Sequence, residues 1–451
     1  MEREMSHAAP LESLADYSLM DALRGRRSRR FGLGMAIQSG PFAYTSQRPP
    51  LSLDDAEEAA LAFAACGVTG YALADLAYGQ GDGGNMLAGL LGRTVASPDA
   101  MNCISVVVTN DEATYLLKRP QDFAPAEYPE LVALAESGDL IDLYHRSRVK
   151  LQDGRAAPPV IPGYNFNINK WSLYAPGGTY FLPITETTAI YINALLEAFT
   201  PQMGIFVLDE RSNFQPAGIG KFSRQKGGHL DDSPTGGHVA TVQAIELSLA
   251  EAAAIEQGMV LQNLGLMTQA LGLGGFPNFA RHEWGWFDAL GFRMAEMPGS
   301  RYLGAPGLVS TFLGWLGRDP DIRYPLGLER NGEALLKPFC PPYYPTMRDA
   351  VLAYVDYKFG RQGVWRGRAT TSAWRDPQAV AAQIPDLPDE AIEATIAYCE
   401  YIYDRYDRFP AYTAPFRTVL GYQAVHVDVE FYDRFYRPEA LTDTQRGHRH
   451  A

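Results

Sequence analysis

Arg26-Arg27-Ser28-Arg29-Arg30-Phe31 puts four arginines and a serine in five consecutive positions of a chain whose net charge is -13. Guanidinium groups packed side by side repel one another, and a bound anion offsets that repulsion. Arg grips a phosphate through two parallel N–H donors, and Ser adds a hydroxyl. The chemistry suggested is anion recognition, phosphate above all. The competing reading is a solvated basic turn, the usual fate of a charge run.

Other residues suit proton or metal chemistry. His282-Glu283 is a neighbouring pair able to donate or accept a proton, and Trp284 and Trp286 beside it could stack on a planar substrate or simply fill the core. His229 and His238 flank Asp231 and Asp232 in a glycine-rich stretch, a donor set that could hold a metal, although a surface loop explains it as well. No metal site is expected. Gly32-Leu33-Gly34 lacks the strand and downstream glycines of a dinucleotide fingerprint, and there is no GxSxG, HExxH or P-loop.

The whole composition narrows the class. Hydrophobic residues make up 46% and charged residues 20% of 451 positions, as in ordinary globular proteins. The acidic balance argues against nucleic acid as a partner. Cys66, Cys103, Cys340 and Cys399 are far apart and form no CxxC pair, so neither a zinc ribbon nor a disulfide framework is expected, and a reducing cytoplasm fits. The polar N-terminal stretch reads as no signal peptide. No run approaches the ~20 apolar residues of a membrane span.

The elements that must position these residues are partly legible. Leu11 to Leu23 reads as an amphipathic helix leading into the arginines. Ser52 reads as the N-cap of a helix to about Ala65. Ile104–Thr109 is a β-branched strand, followed by a turn or helix start at Asn110-Asp111-Glu112, and residues 127–150 read as helical. Residues 153–183 read as a Pro- and Gly-rich irregular excursion, Thr187–Phe199 as a helix, Met203–Leu208 as a strand and Gly218–Gly237 as a long loop. Ile245–Leu271 is the strongest helix, rich in Ala, Leu, Glu and Gln, and Gly272-Leu273-Gly274-Gly275 stops it. Later helices are expected near Thr346–Phe359, Pro388–Arg405 and Asp428–Tyr436.

Four pieces fall in a particular order. They are the arginine segment, Leu51-Ser52-Leu53-Asp54-Asp55 opening a helix, Ala96-Ser97-Pro98-Asp99-Ala100-Met101-Asn102 before a strand, and the Gly258–Gly274 helix end. The ordered set resembles the flavin-dependent nitroreductase superfamily over roughly residues 15–120 and 240–335. The resemblance implies an α+β, three-layer α-β-α sandwich and a homodimer with FMN at the subunit boundary. It implies cofactor contacts from Arg26, Arg27, Ser28 and Arg30, from Asn102, from Gly274, Gly275, Pro277 and Asn278, and from Lys337, with Arg330 as competitor for that last role.

The resemblance has departures. The motif that often follows the asparagine is replaced by Cys103-Ile104-Ser105, and the chain is about twice the length of a small nitroreductase. The expected division is residues 1–124 and 241–339 as the two parts of the FMN-binding core, 125–240 as an insertion able to cover a substrate, and 340–451 as a helical, aromatic-rich extension. That longer build is similar to the family's azoline dehydrogenases. The expected activity is hydride transfer through FMN, either oxidising an azoline or peptide or reducing a nitro, quinone or enone acceptor with NAD(P)H as donor. The alternative is a non-redox scaffold on the same fold that binds a partner.

Overall fold

The computed structural model describes residues 14, 16–73, 90–97, 101–157, 171–280, 285–367, 372–410, 412–413 and 419–448. Its centre is an antiparallel sheet. The strands are β1 (Ile104–Thr109), β2 (Ala113–Leu117), β3 (Arg148–Asp153), β4 (Thr179–Glu186), β5 (Gly274–Ala280) and β6 (Val419–Val425), in the order β5-β6-β4-β1-β2-β3, with Tyr412–Thr413 also pairing β4. Register places Val107 opposite Leu182, Tyr180 opposite Gln423, and Gln423 opposite Phe276.

The helices include α1 (Leu19–Gly25), α2 (Asp55–Cys66), α3 (Tyr128–Ser137), α4 (Leu140–Ser147), α5 (Thr188–Ala198), α6 (Val242–Ala270), α7 (Met347–Phe359), α8 (Asp389–Tyr406) and α9 (Val429–Phe435). The side-chain alternation of a strand sends successive residues to opposite faces. Ile104, Val106, Val108, Phe181 and Tyr422 join one cluster with Leu61 of α2 and Val260 and Leu264 of α6. Val107, Leu182 and Ile184 join another with Tyr191 of α5, Tyr354 of α7 and Tyr398 of α8. The fold therefore mixes helix and sheet, with helices on both faces of the main sheet.

Local physics explains several ends. Asp54, not Ser52, caps α2: its carboxylate accepts from Glu57 N at 2.9 Å while Glu57 accepts from Asp54 N at 2.9 Å, a reciprocal capping box. The helix expected over Leu11–Leu23 runs over Leu19–Gly25, capped by Ser18, with Leu14 helical before it. Asn110 makes a hairpin turn, its Oδ1 accepting from Glu112 N and Ala113 N at 2.9 Å each. The helical reading of 127–150 resolves into α3 and α4, separated at Gly138 with φ 75°, and β3 takes over from Arg148.

The sheet draws on all four stretches distinguished in the sequence. Residues 125–240 supply β3 and the fully buried β4, and residues 340–451 supply β6 between β4 and β5. A second sheet, Arg293–Pro298, Asp321–Arg330 and Glu333–Leu336, lies off this path. Among the described residues no helix is long and apolar enough to cross a membrane.

Candidate anion-binding cavity

The arginine segment leaves α1 and crosses the end of β5. Arg29 bridges Gly275 through the backbone, and Gly32 bridges Val427. This pins the segment beside the C-terminal helix α9. Phe31 is 1% exposed and stacks on Phe431 with ring centroids 4.0 Å apart. Its N–H donates to the Tyr432 hydroxyl at 3.2 Å.

The result is a cavity of about 530 Å³, within the range of small-molecule sites. Arg27, Ser28, Arg29 and Arg30 form its polar wall. Phe42, Trp171, Phe431, Tyr432 and Tyr436 form much of its apolar wall. Phe42 and Tyr436 stack with centroids 5.7 Å apart, 8° from parallel. No acidic residue is among the described lining residues, although the chain carries 52 Asp and Glu against 39 Lys and Arg. A cationic cavity on an acidic protein selects anions.

The arginines differ in role. Arg29 is buried; its Nη1 donates to Gln269 Oε1 at 2.8 Å and its Nε to Ala440 O at 2.8 Å. Arg30 is half-buried, with its guanidinium 4.5 Å from the Phe276 ring centroid and 4.9 Å from that of Trp171, and Nη2 donates to Ser172 Oγ at 3.3 Å. Arg27 donates from Nη1 to Arg24 O and Arg26 O and is exposed. Burial pushes the pKa of both Arg29 and Arg30 down, and the neighbouring charges of Arg27 and Arg26 add to that at Arg29. An anion in the cavity would oppose both effects.

Of the residues expected to hold a cofactor, Arg27, Ser28 and Arg30 line this cavity and Arg26 lies exposed at the end of α1, outside its lining. Gly274 and Gly275 abut the segment for packing reasons. A Cβ on Gly274 would lie 2.7 Å from Arg29 O, and one on Gly275 would lie 2.5 Å from the Tyr422 hydroxyl. Pro277 is exposed and pairs with Tyr422, while Asn278 is buried. Asn278 shares a sheet face with Phe276, Gln423 and Tyr180. That face carries a polar chain under Arg30: Tyr180 Oη donates to Gln423 Oε1 at 2.8 Å, and Gln423 Nε2 donates to Ser172 O at 2.8 Å.

The remaining candidates sit elsewhere. Asn102 precedes β1 with φ 51°, its carbonyl accepting from Gln121 Nε2 at 3.2 Å. Lys337 is exposed, with Nζ 4.2 Å from the Tyr344 ring centroid. Arg330 donates to the carbonyls of Leu151 and Leu290. His282 and Glu283 lie outside the described residues. His229 and His238 each face a backbone carbonyl, of Phe199 and Met203 respectively, at 2.9 Å. Asp231 pairs with Arg224 and Asp232 accepts from Ser223. The loop donors are thus engaged separately.

Sequence reasoning missed Arg29 as an anchor and the aromatic wall from Trp171 and α9. The aromatic excess of the last third was a visible signal, but nothing local tied it to the arginines.

No family model matches the chain, and no curated protein matches it. Among solved structures it is similar to one titled "Crystal structure of a putative nitroreductase", from Ralstonia eutropha JMP134. That likeness has a TM-score of 0.28 and 14% identity, covering 61% of this chain and 75% of the other. A score that low lends no weight to any functional reading.

Proposed function

We propose that the chain is an FMN-dependent oxidoreductase whose cofactor is gripped by the arginine cavity. The observation that carries the proposal is the cavity itself, cationic on one wall, aromatic on the other and without a described acidic lining residue. The residues fit FMN: Arg27 and Ser28 offer phosphate donors, and Trp171, Phe42 and Tyr436 offer flat apolar surface. The absence of a dinucleotide fingerprint in the sequence favours FMN over FAD.

When bound, FMN supplies hydride-transfer chemistry at its ring. The chain's own part is binding and electrostatics. Arg30, held over Phe276 and Trp171, would offer a fixed cation to the ring, which gains negative charge on reduction. Arg29 holds the wall in place from below. His282-Glu283 is the proposed proton donor pair. Substrate classes remain those implied by the resemblance: azoline or peptide oxidation, or reduction of a nitro, quinone or enone acceptor by NAD(P)H.

The finer fold proposal is the three-layer α-β-α sandwich, supported by the two clusters on opposite faces of the sheet. The homodimer proposal is supported by Leu247, Ile255 and Met259 of α6, all exposed on the single chain. Four free, buried cysteines support a reducing compartment such as the cytoplasm.

A second reading is a non-redox site for an aromatic phosphate. It is favoured by Gly275, whose open side is filled by Tyr422. Purified protein is treated with acid and the released cofactor identified by chromatography, with FMN add-back if none is found. FMN is expected. Recovery of FAD, or folded protein that neither carries nor takes up FMN, would sink the first reading.

A further inference from the structure

Glu57, His426 and His448 converge from three remote parts of the chain. Glu57 lies in the first turn of α2, His426 just beyond β6, and His448 near the C-terminal end. The side chains of Glu57 and His426 are 2% exposed and that of His448 is 11% exposed. Both imidazoles turn Nε2 toward the carboxylate: His448 Nε2 lies 3.0 Å from Oε1, and His426 Nε2 lies 3.5 Å from Oε2. One donor atom from each residue lies within 4.8 Å of the other two.

These spacings suit a shared cation. Around a tetrahedral zinc-class ion with bonds of about 2.0–2.1 Å, neighbouring ligand atoms stand about 3.3–3.4 Å apart. Two imidazoles and one carboxylate are the donor types such ions take. The carboxylate is also oriented from behind, since Asp54 N donates to Glu57 Oε2 at 2.9 Å. Without a cation, His448 Nε2 would donate to Glu57 Oε1, and His426 Nε2, also 3.2 Å from Ser52 O, would share its proton between that carbonyl and the carboxylate. A cation takes the lone pair of each neutral imidazole and one carboxylate oxygen, releasing to solvent any proton it displaces.

We propose that Glu57, His426 and His448 bind one divalent cation of the zinc class as a structural clip. The clip ties the C-terminal segment and the end of β6 to α2. That segment also carries Ala440 O, which receives Arg29 Nε at 2.8 Å, and Thr442, whose Oγ1 receives Gln269 Nε2 at 3.0 Å. The cation would therefore brace the C-terminal wall of the arginine cavity. The inference does not depend on the flavin reading, because neither the ligands nor the test involves flavin.

The test uses the full-length, tag-free protein, stripped with a chelator and dialysed against Zn2+, then Co2+. Expected results are one equivalent of bound metal per chain, a cobalt spectrum of tetrahedral intensity, and a higher Tm on adding Zn2+. His448→Ala should bind Co2+ ~100-fold more weakly, since losing even an outer partner of a ligand costs 10–100-fold. A His229→Ala/His238→Ala variant should bind as the wild type does. The proposal is overturned if stripped wild type takes up neither ion, or if His448→Ala binds as tightly as wild type. Should His448→Ala fail to fold, His448→Gln is judged by the same criterion.

Discussion

Arg29 Nη1 and Gln269 Oε1 meet at 2.8 Å, joining the arginine segment to the last turn of α6. Gln269 also donates from Nε2 to Thr442 Oγ1 at 3.0 Å and to the Tyr17 hydroxyl at 3.3 Å. One amide thus links the segment before the cavity, the long helix and the C-terminal segment. Arg29, the one arginine of the segment to which the resemblance gives no cofactor contact, is the one most deeply built into the fold.

Gln269→Leu is expected to destabilise the protein by about 1.5–3 kcal/mol, because it removes a hydrogen bond to a buried charge and leaves other donors unmatched. Denaturant titration gives the value. A change below about 0.5 kcal/mol, the range of ordinary surface substitutions, would remove Gln269 from this role.

Arg27→Ala/Ser28→Ala should weaken FMN binding ~100-fold or more, since charge-assisted hydrogen bonds contribute about 1.5–3 kcal/mol each. Arg26→Ala should change it far less, because Arg26 lies outside the cavity lining. Flavin fluorescence titration compares the two. The reverse ranking would shift the phosphate site toward the end of α1.

Alkaline pH should weaken the fold as tyrosines ionise. Burial pushes the hydroxyls of both Tyr422 and Tyr432 up to about 12 from an ordinary 10.0. Their neutral forms are favoured in the folded state, so this contribution is intact below pH ~10 and lost as pH rises from ~10 to ~12. Tyrosinate absorbance followed alongside circular dichroism should show ionisation of the buried set together with unfolding. Tyr432→Phe should reduce the slope of stability against pH in that window.

Ile255→Glu should lower the solution mass from about two chains to one if α6 forms the dimer boundary. Ile255 is 51% exposed and Leu247 53%, so a charge there disturbs little in the single chain. Leu264 is fully buried within its own chain, so a charge at that position would damage the core and report nothing about assembly. A second exposed apolar face on the Gly307–Trp315 helix includes Leu308, Phe312 and Trp315. Light scattering on Ile255→Glu and on Phe312→Glu separates the two faces. If neither variant changes the mass of a dimer, both faces are excluded as its boundary.

Several elements were legible in the sequence because their signals are local. The long helix is rich in helix formers despite Gly258 and Gly265, has a glycine stop, and runs from Val242 to Ala270. Ile104–Thr109 is a run of β-branched residues and forms a strand over those residues. The arginine cluster suggested anion recognition through charge density alone; in the structure Arg27, Ser28, Arg29 and Arg30 line a cavity.

What only the tertiary structure decided depends on partners far away in the chain. Thr179–Glu186 contains Pro183 and follows Gly177-Gly178, so it read as irregular; pairing with β1 on one side and β6 on the other makes it a central strand. Val419–Val425 was not distinguished from its surroundings for the same reason. Phe431, Tyr432 and Trp171 became cavity walls only when β6 carried the C-terminal segment against Phe31. Glu57, His426 and His448 have no common spacing to read. Local composition specifies helices, caps and charge, whereas a site is made by the contacts that the assembled sheet brings together.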